Sequence, residues 1–171
     1  GNLFVPVAKN EGEIFPVIIF ISSWACEEHE YIAQAIHFAK KGYIVLSYSH
    51  RGWGFSGGRV SLGGPEDWAD MSAAIDWLED NTPLDRENIG VSGISLGGGG
   101  SLNALIHDPR VKTVAALSSY MDEFRSMFSD ETPRLFWGGI LVGTGAMMAR
   151  MSQEIYDLMK ATFTNTNLDW V

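Results

Sequence analysis

Apolar and polar positions fall into two alternating textures along the first 118 residues. Ile14-Phe-Pro-Val-Ile-Ile-Phe-Ile21 is a near-continuous run of β-branched and aromatic side chains, the pattern of a strand covered on both faces. From Glu27 to Lys41 the period becomes helical. Tyr31, Ile32, Ala35, Ile36 and Ala39 form one apolar stripe, acids stand at its start and lysines near its end, and Gly42 stops it. Tyr43 to Tyr48 reads as a second buried strand. A glycine-rich loop runs to Gly64, and a helix is predicted from Pro65 to Asp80 with the proline in its first turn. Asn88 to Ser92, Ser95 to His107 and Val111 to Leu117 continue the series as strand, helix and strand. This alternation predicts an α/β fold with a mostly parallel sheet flanked by helices.

After Ser118 the texture changes. Six of the seven methionines lie in the last 53 residues, and no strand pattern is evident there. Residues 1–118 therefore read as the α/β core, and residues 119–171 as a helical cap or lid. Within the latter, Ser152 to Phe163 has a helical pattern and residues 162–168 form a polar ending. Met-rich apolar surface suits a lid over a greasy pocket, or equally a set of gap-filling core helices. The uncharged stretch Leu135 to Ala149 contains Gly139-x-x-x-Gly143, a spacing used in membrane helix pairs. It has only 15 residues and four glycines, against the roughly 18–20 apolar residues of a spanning helix, so it reads as a buried or lid segment.

Charge and cysteine content narrow the function classes. Twelve basic against 21 acidic residues give a net charge of −9, with no basic stripe for nucleic acid. A single cysteine, Cys26, excludes an internal disulfide and a multi-cysteine zinc site. The opening GNLFVPVAKN lacks the apolar core of a signal peptide, and together with the lone cysteine this favours a cytoplasmic location.

The chemistry centres on Gly93-Ile-Ser-Leu-Gly97, a G-x-S-x-G string directly after a predicted strand and directly before a predicted helix. In that context Ser95 is the expected nucleophile, held on a tight corner whose neighbours must be small. The amide of Leu96, at the start of the following helix, is an expected oxyanion donor. A second donor is expected from the loop Ser22-Ser-Trp-Ala-Cys26, through the amide of Trp24 or of Ser23. The competing reading is a glycine-rich turn with a serine helix cap.

Two other glycine motifs lead elsewhere and fail on context. Gly52-Trp-Gly-Phe-Ser-Gly57 matches the dinucleotide fingerprint, but no helix opens on it, so no nicotinamide cofactor is expected. The run Gly97 to Gly100 lacks the Gly-Lys-Ser/Thr of a phosphate loop. Histidines 29, 37, 50 and 107 show no paired metal spacing, and neither metal nor other cofactor is expected.

In this order, the strand and turn from Ile18 to Cys26, the loop Arg51-Gly-Trp-Gly-Phe-Ser56 and the serine corner resemble the first half of an α/β-hydrolase. The nearest branch is peptidase S15 with the cocaine-esterase-like acyl esterases and X-prolyl dipeptidyl peptidases. Ser119-Tyr-Met-Asp122 and Pro133 to Gly138 resemble the start of its helical cap. Ser49 stands where the branch's D-x-R-G-x-G-x-S loop carries Asp, which leaves open how the loop is braced.

The resemblance implies a histidine and an acid after the serine. The only later histidine, His107, lies about 18 Å along the helix from Ser95 by the helical rise, so it is not the base. His29 and His50 are unconventional alternatives, and Asp122 is a candidate acid. The expectation is therefore a serine hydrolase of an apolar ester or amide whose base lies outside these residues. The sheet would be incomplete, inviting self-association or pairing with a missing C-terminal half. A catalytically silent hydrolase-like binding or scaffold domain, and a haloperoxidase- or dienelactone-hydrolase-like enzyme, are the alternatives.

Overall fold

The computed structural model of the chain describes residues 1–120, 122–129 and 132–164. In chain order the core comprises β1 (Asn2–Phe4), β2 (Phe15–Ile21), a 3-10 turn (Glu28–Tyr31), α1 (Ile32–Ala39), β3 (Ile44–Tyr48) and α2 (Pro65–Asn81). It continues with β4 (Leu84–Ile94), α3 (Leu96–His107) and β5 (Val111–Leu117). The sheet has the order β1-β3-β2-β4-β5, with β1 antiparallel to β3 and every other pairing parallel. This is the mixed, mostly parallel α/β sheet that the alternation of textures predicts.

β2 lies at its centre, and Ile19, Val17 and Ile21 are almost wholly buried. On one face they meet Met71, Ile75 and Leu78 of α2 and Ala104 of α3. On the other, Phe20 and Val45 pack with Tyr31 and Ala35. Helices on both faces explain why β2 has no polar alternation.

Three boundaries differ from the sequence reading. β1 carries no readable period because it is only three residues long, and it is formed by pairing with β3. β4 starts four residues earlier than Asn88, since Leu84 pairs with Phe15 of β2. The helix expected over 27–41 opens as a 3-10 turn, because its acids serve tertiary contacts.

The turn from α3 into β5 is braced by Asp108. Its carboxylate accepts bonds from the Arg110 guanidinium (2.7 and 2.9 Å), the Arg110 amide (3.0 Å) and Ser72 Oγ of α2 (2.8 Å). The Arg110 hydrogen bonds outweigh burial and hold the Asp108 pKa down at about 2. A depressed carboxyl stabilises the fold at pH above its unfolded pKa of about 4, and that contribution is lost as pH falls toward 2. Asp108→Asn should therefore lower urea-denaturation stability at pH 7 while narrowing the loss between pH 4 and pH 2.

Beyond Ser118 the structure has α4 (Glu123–Met127), a two-residue hairpin of β6 (Phe128–Ser129) and β7 (Thr132–Pro133), α5 (Leu135–Met148) and α6 (Gln153–Thr164). The hairpin is too short to leave a strand pattern in sequence. The tail of the polar ending, from residue 165, lies outside the described residues. α5 is a helix with Leu135, Phe136, Trp137, Met147 and Met148 exposed, so the stretch is not a buried segment. Among the described residues no helix is long and apolar enough to cross a membrane.

The segment after α5 is clasped to the glycine-rich loop 52–60. Trp53 and Ala149 form a β-bridge, the Arg150 amide donates to the Gly52 carbonyl (2.8 Å), and the Val60 amide donates to the Arg150 carbonyl (3.1 Å). The Arg150 guanidinium adds bonds to the carbonyls of Gly54 (3.0 Å) and Ser56. Gly52 has φ +81°, and a Cβ there would lie 2.4 Å from the Val60 amide nitrogen, so the motif's glycine serves this clasp.

At the other side of the core, β5 has no further strand partner among the described residues, and Leu117 is half exposed. The sheet is incomplete in this chain.

Candidate active site

Ser95 occupies the corner between β4 and α3 with φ +54° and ψ −117°, outside the regions favoured by L-residues. A serine that caps a helix has extended backbone and bonds an amide in the first turn. Ser95 does neither: its side chain makes no capping hydrogen bond. Its backbone is pinned instead, with the amide donating to the Leu117 carbonyl (2.9 Å) and the carbonyl accepting from the Gly99 amide (3.0 Å).

The flanking glycines permit this corner by close approach. A Cβ on Gly93 would lie 2.4 Å from the Gly97 carbonyl carbon, and one on Gly97 would lie 2.2 Å from the Ile21 carbonyl oxygen. α3 thus begins directly against the end of β2. Leu96 is its first residue, so its amide has no acceptor within the helix.

Across from the corner, the loop after β2 turns tightly, with the Cys26 amide on the Ser23 carbonyl (3.1 Å) and Ala25 at φ +57°. The Ser23 amide is occupied by Glu30 Oε2 (2.7 Å), which removes it as an oxyanion donor. Trp24 is left as the candidate in this loop. Its indole packs edge-on against Trp53, and its Nε1–H donates to Thr144 Oγ1 of α5 (2.9 Å). Burial first, then the nearby Glu30 charge, pushes the Cys26 thiol pKa up, against a thiolate nucleophile.

The loop beginning at Ser49 has a brace that sequence spacing does not reveal. The Glu28 carboxylate bonds Ser49 Oγ, and the Glu28 amide donates to the same oxygen (2.8 Å). Ser56 Oγ donates to the Ser49 carbonyl (2.8 Å). Glu28 supplies the carboxylate expected at position 49, and the Ser49 hydrogen bond holds its pKa down. Arg51 forms a two-pronged pair with Asp70 of α2 (2.7 and 2.9 Å).

The histidines are dispersed. His29 is mostly exposed beside Glu28, and His107 stacks on Trp68 at 3.6 Å. His50 is buried with Nδ1 3.7 Å from Asp67, a pairing that the sequence reading missed because no motif spacing links a loop residue to the next helix. Its ring lies against Gly100, where a Cβ would meet Cε1 at 3.2 Å, and it lines a cavity of about 180 Å³ along α3 with Leu96, Gly99 and Tyr120. Burial pulls the Asp67 pKa up, but the neighbouring His50 and hydrogen bonds from Ser61 Oγ and the Gly63 amide outweigh it, leaving the carboxyl below its usual range.

Asp122 follows β5. Its Oδ1 accepts the Arg125 amide at the start of α4 (2.9 Å), and its Oδ2 lies 3.5 Å from Arg125 Nε. Glu27, Glu28 and His29 place ligand-type atoms within 4.8 Å of one another, but Glu28 is already committed to Ser49.

Known proteins share this arrangement of elements. Residues 1–169 match the X-Pro dipeptidyl-peptidase (S15) family. An uncharacterized Pseudomonas aeruginosa protein, PA2218, is 31% identical over 122 residues, which are 70% of this chain and 33% of that protein. Its crystal structure superposes with a TM-score of 0.63 at 27% identity, covering 85% of this chain and 47% of that one.

Two more distant structures share the fold: the α/β hydrolase GrgF from Penicillium sp. sh18 and the Pyrococcus horikoshii acylaminoacyl peptidase. GrgF gives a TM-score of 0.60 at 18% identity, covering 93% of this chain and 59% of its own. The peptidase gives 0.58 at 20%, covering 95% of this chain and 26% of its own. The matched segments cover only about a third of the length of the curated relatives. With its α/β-hydrolase sheet and a match over nearly all of its length, the chain belongs to the X-Pro dipeptidyl-peptidase (S15) family of hydrolases.

Proposed function

We propose that this chain carries the nucleophile and oxyanion hole of a serine hydrolase acting on esters or amides. The observation that carries the reading is the backbone of Ser95: φ +54° at a strand-to-helix corner, with no capping bond to give that conformation another use. Such a conformation costs on the order of 1–3 kcal/mol and persists where the surroundings enforce it.

In the reaction, Ser95 Oγ bonds to the substrate carbonyl carbon as its proton passes to a base. The carbonyl oxygen becomes an oxyanion facing the amides of Leu96 and Trp24. The bond to the leaving alcohol or amine then breaks, that group takes the proton, and an acyl-enzyme remains. Water repeats the sequence to release the acid and restore Ser95.

No base is identified among this chain's residues, and in this reading it is taken from residues outside these 171. Asp122 is the candidate acid, placed after β5 with its carboxylate half exposed. The exposed Phe136, Met147 and Met148 of α5 favour an apolar acyl group over a charged one.

A panel of p-nitrophenyl esters of increasing chain length and X-Pro dipeptide anilides, run on the full-length protein, tests the reading. Turnover that favours apolar acyl groups is expected. No turnover of any ester or anilide would favour a silent binding domain instead.

A further inference from the structure

We propose that Glu30 and Tyr31 are positioning residues that set the distance between the two halves of the oxyanion hole. This inference rests on the serine-hydrolase reading of Ser95. Its starting point is a gap in the sheet. β2 ends at Ile21, opposite Gly93, whereas β4 runs one residue further to Ile94. Ile94 still pairs with Leu117 of β5, but β2 offers it no partner. Backbone groups at such an end need other partners.

Side chains from the segment after β2 fill that place. The Ile94 amide donates to Tyr31 Oη (3.0 Å), and the Ile94 carbonyl lies 2.9 Å from Ser23 Oγ. The same Ser23 is gripped by Glu30, whose Oε2 accepts its amide (2.7 Å) and whose Oε1 lies 2.6 Å from its Oγ. Tyr31 is itself fixed by burial and by stacking on Phe20, with ring centroids 4.7 Å apart and planes 11° from parallel.

The consequence is a closed circuit. Ile94 precedes the proposed nucleophile by one residue and the first donor, Leu96, by two. Ser23 precedes the second donor, Trp24, by one. Glu30 and Tyr31 are adjacent in the 3-10 turn, so a single rigid turn holds both donor-bearing segments in fixed relation. Neither residue touches the substrate. Their role is geometric, and oxyanion stabilisation depends steeply on geometry.

The test is Tyr31→Phe and Glu30→Gln in the full-length protein, each nearly isosteric with the residue it replaces. The kinetics of p-nitrophenyl ester hydrolysis are measured alongside the rate of covalent labelling by a fluorophosphonate, whose adduct places an oxygen where the oxyanion forms. Far-UV circular dichroism checks the fold.

The expected result is a fall of about 10- to 100-fold in kcat with KM changed less than about threefold, and labelling slowed in parallel. A residue that only supports the fold would not split kcat from KM in this way. Both variants labelling and turning over at the parent rate would overturn the positioning role while leaving the Ser95 reading intact. A parent protein that labels at a residue other than Ser95, or not at all, would overturn both. If Glu30→Gln fails to fold, Tyr31→Phe, which removes one oxygen atom, decides the question alone.

Discussion

Replacing Ser95 by alanine in the full-length protein is expected to lower ester hydrolysis by about 10⁴-fold or more, with the fold unchanged. The size of the effect follows from the role: without Oγ no acyl-enzyme forms, and the oxyanion donors alone retain only residual catalysis. The substitution deletes one hydroxyl oxygen that makes no capping bond, so the helix start does not depend on it. Alanine does keep the strained φ of +54°, so stability should not rise appreciably. Steady-state hydrolysis together with thermal unfolding separates the two quantities. Loss of activity with an unchanged melting temperature is expected, whereas retained activity would remove Ser95 from the chemistry.

Gly97→Ala should have the largest effect on structure. Its Cβ would stand 2.2 Å from the Ile21 carbonyl oxygen and 3.0 Å from both the Ile21 carbonyl carbon and the Ser22 carbonyl oxygen, all backbone atoms. No rotamer change relieves such a contact, so α3 must back away from the end of β2. That movement opens the corner and separates Leu96 from the loop after β2. The expected cost is about 3 kcal/mol or more in urea denaturation, with activity lost in the soluble fraction. Gly143→Ala is the matched control. Nothing lies within 4 Å of a Cβ there, and alanine in mid-helix should stabilise α5 by up to about 1 kcal/mol. The same substitution thus has opposite signs at two helical glycines.

How much of this was legible in sequence depended on whether a feature is local. β2 and β3 could be read because burial on both faces leaves a continuous apolar run. The Gly93–Gly97 string could be read because strand, corner and helix are consecutive in the chain. β1 escaped notice, since three residues show no period and the strand exists by virtue of β3.

The polar braces escaped for a related reason: their partners meet only when the sheet forms. Glu28, Glu30 and Tyr31 look like the acidic first turn and apolar stripe of an amphipathic helix. In the structure Glu28 completes the Ser49 loop, while Glu30 and Tyr31 hold Ser23 and Ile94. His50 reads as one more loop histidine until α2 brings Asp67 to it. The Ser49 departure from the loop pattern is met the same way, because Glu28, 21 positions earlier, brings a carboxylate to Ser49 only in the folded chain.

Residues 119–171 were less legible. Their methionines and glycines fit a lid or buried gap-filling helices equally, and α5 leaves Phe136 and Met147 more than four-fifths exposed. Composition records that a segment is apolar and says nothing of what covers it. The link to the core combines backbone bonds of Arg150 with Gly52 and Val60, which no side-chain pattern encodes, with side-chain bonds from Arg150 and from Trp24 to Thr144.

The measurement that bears most directly on the central claim is the site of covalent modification by a fluorophosphonate in the full-length protein, mapped by peptide mass spectrometry. The account predicts one adduct per chain, on the peptide containing Ser95, and none after Ser95→Ala. An adduct on another residue, or a folded protein that never labels, would contradict it.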